Sequence, residues 1–160
     1  MKKKRKANIK LGCSILFIIY LIVLFYFLFF SERYGRTMEN TTYRYNLVPF
    51  KEIQSYIKYR SYFTFELFFV NIVGNVLAFL PFGIFMPLIF SKSRNFFLIL
   101  LESILFSAVI ETIQLVTKVG SFDVDDIIMN TLGGILGFII FVIFLKKRVS
   151  EKTVPKTRNN

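Results

Sequence analysis

Residues 68–90 read FFVNIVGNVLAFLPFGIFMPLIF, residues 91–95 read SKSRN, and residues 96–116 read FFLILLESILFSAVIETIQLV. About 20 apolar residues in a helix match the ~30 Å hydrocarbon core of a bilayer, and each long run here meets that length. Five polar residues between them leave room only for a tight turn, so the two runs predict an antiparallel helical hairpin through a membrane. Two more runs flank the pair, Leu11–Phe30 before it and Ile127–Leu145 after it. The chain has 160 residues, 54% of them hydrophobic, so little is left for a soluble domain. The expected fold is all-α: an integral membrane helical bundle of about four transmembrane helices with an interfacial outer segment. Its parts are a basic N-terminus (1–10), a membrane domain (11–145, spans about 11–30, 68–90, 96–116 and 127–145) and a basic tail (146–160) that is polar and disordered.

The net charge of +11 would suit nucleic acid, but its placement argues for a membrane. Six basic residues precede the first span, Lys92 and Arg94 lie in the hairpin turn, and six more follow the fourth span. These regions hold 14 of the 21 basic residues and a single acid, Glu151, whereas the other two connections hold seven basic and seven acidic residues. Lys and Arg near span ends mark the cytoplasmic side. Both termini are therefore expected in the cytoplasm, with basic flanks that suit anionic lipid head groups and no nucleic-acid partner. The first apolar run exceeds the usual 7–15 residues of a signal peptide and lacks a small-x-small cleavage site, so it reads as an uncleaved anchor. Cys13 is the only cysteine and there is no His, which removes disulfides within the chain and the commonest acid–base side chain.

The connection Ser31–Leu67 holds six of the eight tyrosines, Tyr34, Tyr43, Tyr45, Tyr56, Tyr59 and Tyr62. Tyrosine favours the boundary between hydrocarbon and water, so this segment is expected to lie along the outer face and dip into it. Pro49 suits the first turn of a short helix there.

Polar residues at membrane depth are expensive and are candidates for function. Span two carries Asn71 and Asn75 on one face. Span three carries Ser103, Ser107, Glu111 and Gln114 at helical spacing. Span four opens with Asp123, Asp125 and Asp126, followed by Asn130. At ~1.5 Å per residue, Asn71, Asn75, Glu111 and Asn130 all fall within about 5–10 Å of the outer ends of their helices. Unpaired in lipid, each would cost several kcal/mol, so they should face one another or a small aqueous cavity. Two readings stay open, interhelical hydrogen bonding and a site. Gly133 and Gly137, four apart, read as helix packing. Pro81 and Pro87 are expected to interrupt or kink span two. Glu102, nearer the cytoplasmic side, is expected to pair with Lys92 or Arg94.

As a site, Glu111 or Asp126 would serve as general base or nucleophile. The three Asp offer oxygen ligands for Mg²⁺ or Ca²⁺, although their spacing lacks the remaining ligands of a calcium loop. Arg44 could pair with a phosphate or anchor a head group. The polar layer stops short of the cytoplasmic side, which argues against a channel. The sequence sets no oligomeric state.

Four motifs stand in order: Asn46-Leu-Val-Pro49-Phe50 in the outer segment, Asn71-Ile-Val-Gly74-Asn75 running on to Pro81-Phe82-Gly83 in span two, Glu111-Thr-Ile-Gln114 in span three, and Asp123-Val-Asp125-Asp126-Ile-Ile-Met-Asn130-Thr131-Leu-Gly133 in span four. Over about Asn46 to Leu145 this series resembles the VanZ-like family, named for a bacterial protein associated with teicoplanin resistance. The resemblance implies a bacterial plasma-membrane protein. It also implies binding of, or enzymatic action on, lipid head groups, lipid-linked phosphates or lipid-linked cell-wall precursors. It brings forward Glu111, Gln114, Asp123, Asp126 and Asn130 as the reacting set, with Asn46, Asn71 and Asn75 beside them. A non-enzymatic binding or structural protein is the alternative.

Overall fold

The computed structural model describes residues 2–30, 42–58 and 69–153. Its long elements are four helices: α1 (Lys2–Phe30), α3 (Gly74–Ile89), α4 (Phe96–Thr117) and α5 (Val124–Thr153). A short helix, α2 (Lys51–Lys58), follows a two-residue strand β1 (Tyr45–Asn46), and a second such strand, β2 (Phe122–Asp123), precedes α5. A wide π-type turn, Phe69–Val73, leads into α3. Among the described residues four stretches are long and apolar enough to cross a membrane: Ala7–Phe30, Asn71–Ile89, Phe96–Thr117 and Val124–Phe144. The expected four-span helical bundle is what the chain forms.

Local signals set the helix ends. Asn95 caps α4, its side-chain oxygen accepting the amides of Phe97 at 2.9 Å and Leu98 at 3.3 Å. Two of the donors that a helix start leaves without partners are thereby satisfied. At the other end Lys118 takes a left-handed conformation, φ 57°, and its amide returns to the Leu115 carbonyl at 3.1 Å. Helix α3 continues through both Pro81 and Pro87. Proline supplies no N–H; close to that gap the Tyr20 hydroxyl of α1 donates to the Ala78 carbonyl at 2.8 Å.

The hairpin turn is present as a single 3₁₀ turn, Lys92–Arg94. The closest partner of α3, however, is α5 rather than its neighbour in sequence. The reason is glycine. A β-carbon on Gly83 would overlap the Gly134 carbonyl, one on Gly137 the Leu80 carbonyl, and one on Gly133 the Val76 carbonyl. Backbones in contact gain dispersion along their whole length, the term that drives association where lipid is as apolar as the helix. Helix α4 packs on α5, and α1 lies against α3. Two apolar clusters fill the gaps. Leu24, Leu28, Phe79 and Ile110 form one, and Phe82, Ile99, Phe138 and Phe141 the other. The Phe82 and Phe106 rings stack at 4.8 Å between them.

Three expectations need correction. Helix α5 runs on to Thr153, so the basic stretch after Leu145 begins as helix rather than disordered chain; residues 154–160 lie outside the described residues. Pro49 does not open α2. It sits in the turn before it, followed by Phe50 at φ 64°, and the helix starts at Lys51. Glu102 does not turn to Lys92 or Arg94: its Oε1 accepts from the Ser93 hydroxyl at 2.9 Å, while Arg94 donates to the Pro87 carbonyl at 3.1 Å. Tyr34, Tyr59 and Tyr62 lie outside the described residues.

Candidate functional site at the acidic end of the bundle

The two short strands explain how distant acids meet. They pair in parallel, Tyr45 opposite Phe122 and Asn46 opposite Asp123, with the Phe122 amide donating to the Arg44 carbonyl at 3.0 Å. This lays the segment 42–58 across the end of the bundle where α4 finishes and α5 begins. That end carries the acids; the opposite end carries Lys92 and Arg94.

Glu111, Asp123, Asp125 and Asp126 each have a donor there. Asp123 precedes α5 and accepts the Asp125 amide at 2.8 Å, an N-cap. Its two oxygens also take the Asn46 amide nitrogen, at 3.1 and 3.2 Å. Its own amide donates to Glu111 Oε2 at 3.1 Å. Asp125 accepts the amide of Phe50 with one oxygen and that of Glu52, at 2.8 Å, with the other. A carboxylate from α5 thus caps α2, where free N–H groups and the helix dipole favour an anion. Asp126 Oδ1 accepts the Asn75 amide at 2.6 Å. One turn deeper, Asn130 donates to the Ser107 hydroxyl at 2.9 Å. The side-chain oxygens of Asn130 and Thr131 are buried without a protein partner.

The structure therefore brings Asn46, Asn75, Glu111, Asp123, Asp126 and Asn130 to one end, with Asp123 joining the strand pair to α4 and α5. Gln114 is turned away from them: its amide donates to the Leu28 carbonyl of α1 at 3.1 Å, an interhelical tie. Asn71 is half-buried in the π-type turn, and the Arg44 side chain is exposed. The Asp side chains proposed for Mg²⁺ or Ca²⁺ are directed to different protein partners, and among the described residues no three acidic, His or Cys side chains are grouped to hold a metal ion.

Glu52 joins this group although nothing in the sequence singles it out. Helix α2 places its half-buried carboxyl against the Asp123 carboxylate, to which it hydrogen-bonds. Burial, then the negative charges of Asp123 and Asp126, push Glu52 up from 4.5 to about 7. Burial also raises Asp123, against the opposing bonds from the Asp125 amide and Asn46. In sequence Glu52 is an acid in the first turn of a short polar helix, which ordinarily reads as a dipole partner. Only the strand pairing, made across the whole of spans two and three, shows what it faces.

Compared with known proteins, residues 17–145 match the family model described as VanZ/LLP1. The chain is 30% identical to Protein VanZ of Enterococcus faecium over 91 residues, 55% of this chain and 53% of that protein. It thus spans about half the length of that relative. No solved structure matches. The family match takes in α3, α4, the acid-bearing start of α5 and the segment 42–58 packed against them, and most of the chain with them: this multi-pass membrane protein belongs to the VanZ/LLP1 family.

Proposed function

We propose that the protein resides in a bacterial plasma membrane with both termini in the cytoplasm, and that its acidic end faces outward to act on lipid-linked head groups or cell-wall precursors. The observation that supports this reading is the Glu52–Asp123 pair. A carboxyl titrating at about 7 is divided between acid and base forms at neutral pH. That is the condition for efficient proton transfer in either direction. Two carboxyl groups whose surroundings hold one proton between them are a recurring source of acid–base roles. In this reading Glu52 takes the part that the sequence assigns to Glu111 or Asp126. Glu111 and Asp125 position it: Glu111 through the Asp123 amide, Asp125 through the start of α2. Activity on a precursor at this face would also account for a contribution to glycopeptide resistance of the teicoplanin type.

The test is a deletion strain complemented with the wild-type chain or with Glu52→Gln, followed by profiling of membrane lipids and cell-wall precursors. Enzymatic action requires a species that changes on deletion, returns with the wild-type chain and does not return with Glu52→Gln. If deletion alters no lipid or precursor species, this reading fails.

One observation favours binding without chemistry. Glu111, Asp123, Asp125 and Asp126 all accept hydrogen bonds within the protein, which suits a rigid recognition surface. Restoration of the changed species by Glu52→Gln would select that reading.

A further inference from the structure

The same segment that carries Glu52 turns an apolar edge outward. Tyr43, Tyr45, Leu47, Val48 and Phe50 are exposed by 61%, 68%, 60%, 58% and 50%. Such a cluster at one surface signals contact with something apolar. It is not a loose loop. The Val48 amide bonds the Asn46 side chain at 3.3 Å, the Lys51 amide returns to the Val48 carbonyl at 3.4 Å, and the Phe50 amide is held by Asp125. Phe50 also adopts a left-handed backbone, φ 64°, uncommon for a bulky residue and sustained only where the surroundings enforce it. The frame holds an unfavourable conformation and leaves the ring half in the open.

The level of this edge identifies its occupant. Asp125 lies in the first turn of α5, so the Phe50 backbone stands level with the start of a spanning helix. The last turns of α1 and α4, tied together there by Gln114 and Leu28, expose Phe30 by 64% and Val116 by 66%. The edge adjoins the end of α4, where the Lys118 ammonium sits over the Tyr43 ring, 4.9 Å from its centroid. On either side of Leu47–Phe50, the exposed Arg44 and Lys51 supply the cations that anionic head groups attract.

We propose that Leu47–Phe50 is a wedge inserted into the leaflet at the acidic end, with Leu47, Val48 and Phe50 among the upper acyl-chain carbons and Arg44 and Lys51 at head-group level. Insertion does not depend on the acid–base reading. On that reading it has a consequence: Glu52, two residues past the wedge, lies at head-group level and is reached from within the leaflet.

The chain contains no tryptophan, so one introduced indole reports alone. Full-length Phe50→Trp, reconstituted in phosphatidylcholine–phosphatidylglycerol vesicles, is compared in lipids brominated near the top or near the end of the acyl chain. A group seated about 5–10 Å into the boundary should lose roughly half its emission to shallow bromines, less to deep ones, and little to iodide. Val48→Trp repeats the measurement where Phe50→Trp does not fold. Strong iodide quenching without bromine quenching would put the edge in water and overturn the proposal. Blue-shifted emission that neither agent quenches would overturn it too, by placing the edge against protein, a second copy included. Neither result would bear on the lipid profiling that tests the Glu52 reading.

Discussion

The two ends of the bundle treat their carboxylates differently. At the acidic end Glu111, Asp123, Asp125 and Asp126 each accept a hydrogen bond from an amide, and Asp123 and Asp125 each accept from two amide groups. At the basic end Glu102 takes one bond from Ser93 and keeps its second oxygen buried without a partner. A charged group supplied with donors fixes the geometry around it, whereas one held on a single side contributes little order and costs its desolvation. The acidic end thus carries a frame built from four chain segments. The basic end is a turn with one bonded acid beside it.

The same change of oxygen to nitrogen at both ends should separate them most. Asp125→Asn keeps the shape of the side chain but turns an NH₂ toward one of two backbone donors. It should destabilise the docking of residues 45–58 by about 3 kcal/mol, read as faster hydrogen exchange at the amides of Phe50, Glu52 and Gln54 with the spanning helices unchanged.

Next in size is a pH effect confined to the acidic end. The folded Glu52 carboxyl binds its proton more tightly than an ordinary one, at about 7 rather than 4.5. Folding takes up a proton between those values. The contribution of Glu52 to docking of the segment 42–58 should therefore be full below about pH 4.5, be lost as pH rises through about 7, and level off above it. Asp123, raised in the same direction, adds to the trend. Exchange rates at residues 50–54 measured across that range should rise with pH beyond their intrinsic increase, and Glu52→Gln should flatten the excess.

The smallest change belongs to the basic end. Glu102→Gln removes a charge that is only half-satisfied, and the amide oxygen still accepts from Ser93. Thermal stability of the purified protein should stay within about 0.5 kcal/mol of wild type, or rise slightly. A loss as large as that of Asp125→Asn would erase the contrast between the ends.

What could be read from the sequence follows the same division. Span number, the polar layer, the glycine contact of Gly133 and Gly137, and the end at which Asn75, Glu111, Asp126 and Asn130 gather all follow from length and helical period. Those are local properties. Gln114 shares its period with Glu111, yet it faces α1, because periodicity gives a face and not the neighbour that fills it. The pairing of Asn46 with Asp123 spans 77 residues and leaves no periodic trace in two-residue strands. Glu52 was hidden for that reason: its chemistry comes from groups supplied by another part of the chain.

Whether the acidic end holds a carboxyl group poised at neutral pH is read from infrared titration of the protonated carboxyl stretch in the full-length protein. The expected result is a band that fades with a midpoint at about pH 7 and is missing from Glu52→Gln. A wild-type protein whose carboxyl bands have all vanished by about pH 5, the ordinary range for Asp and Glu, would contradict it.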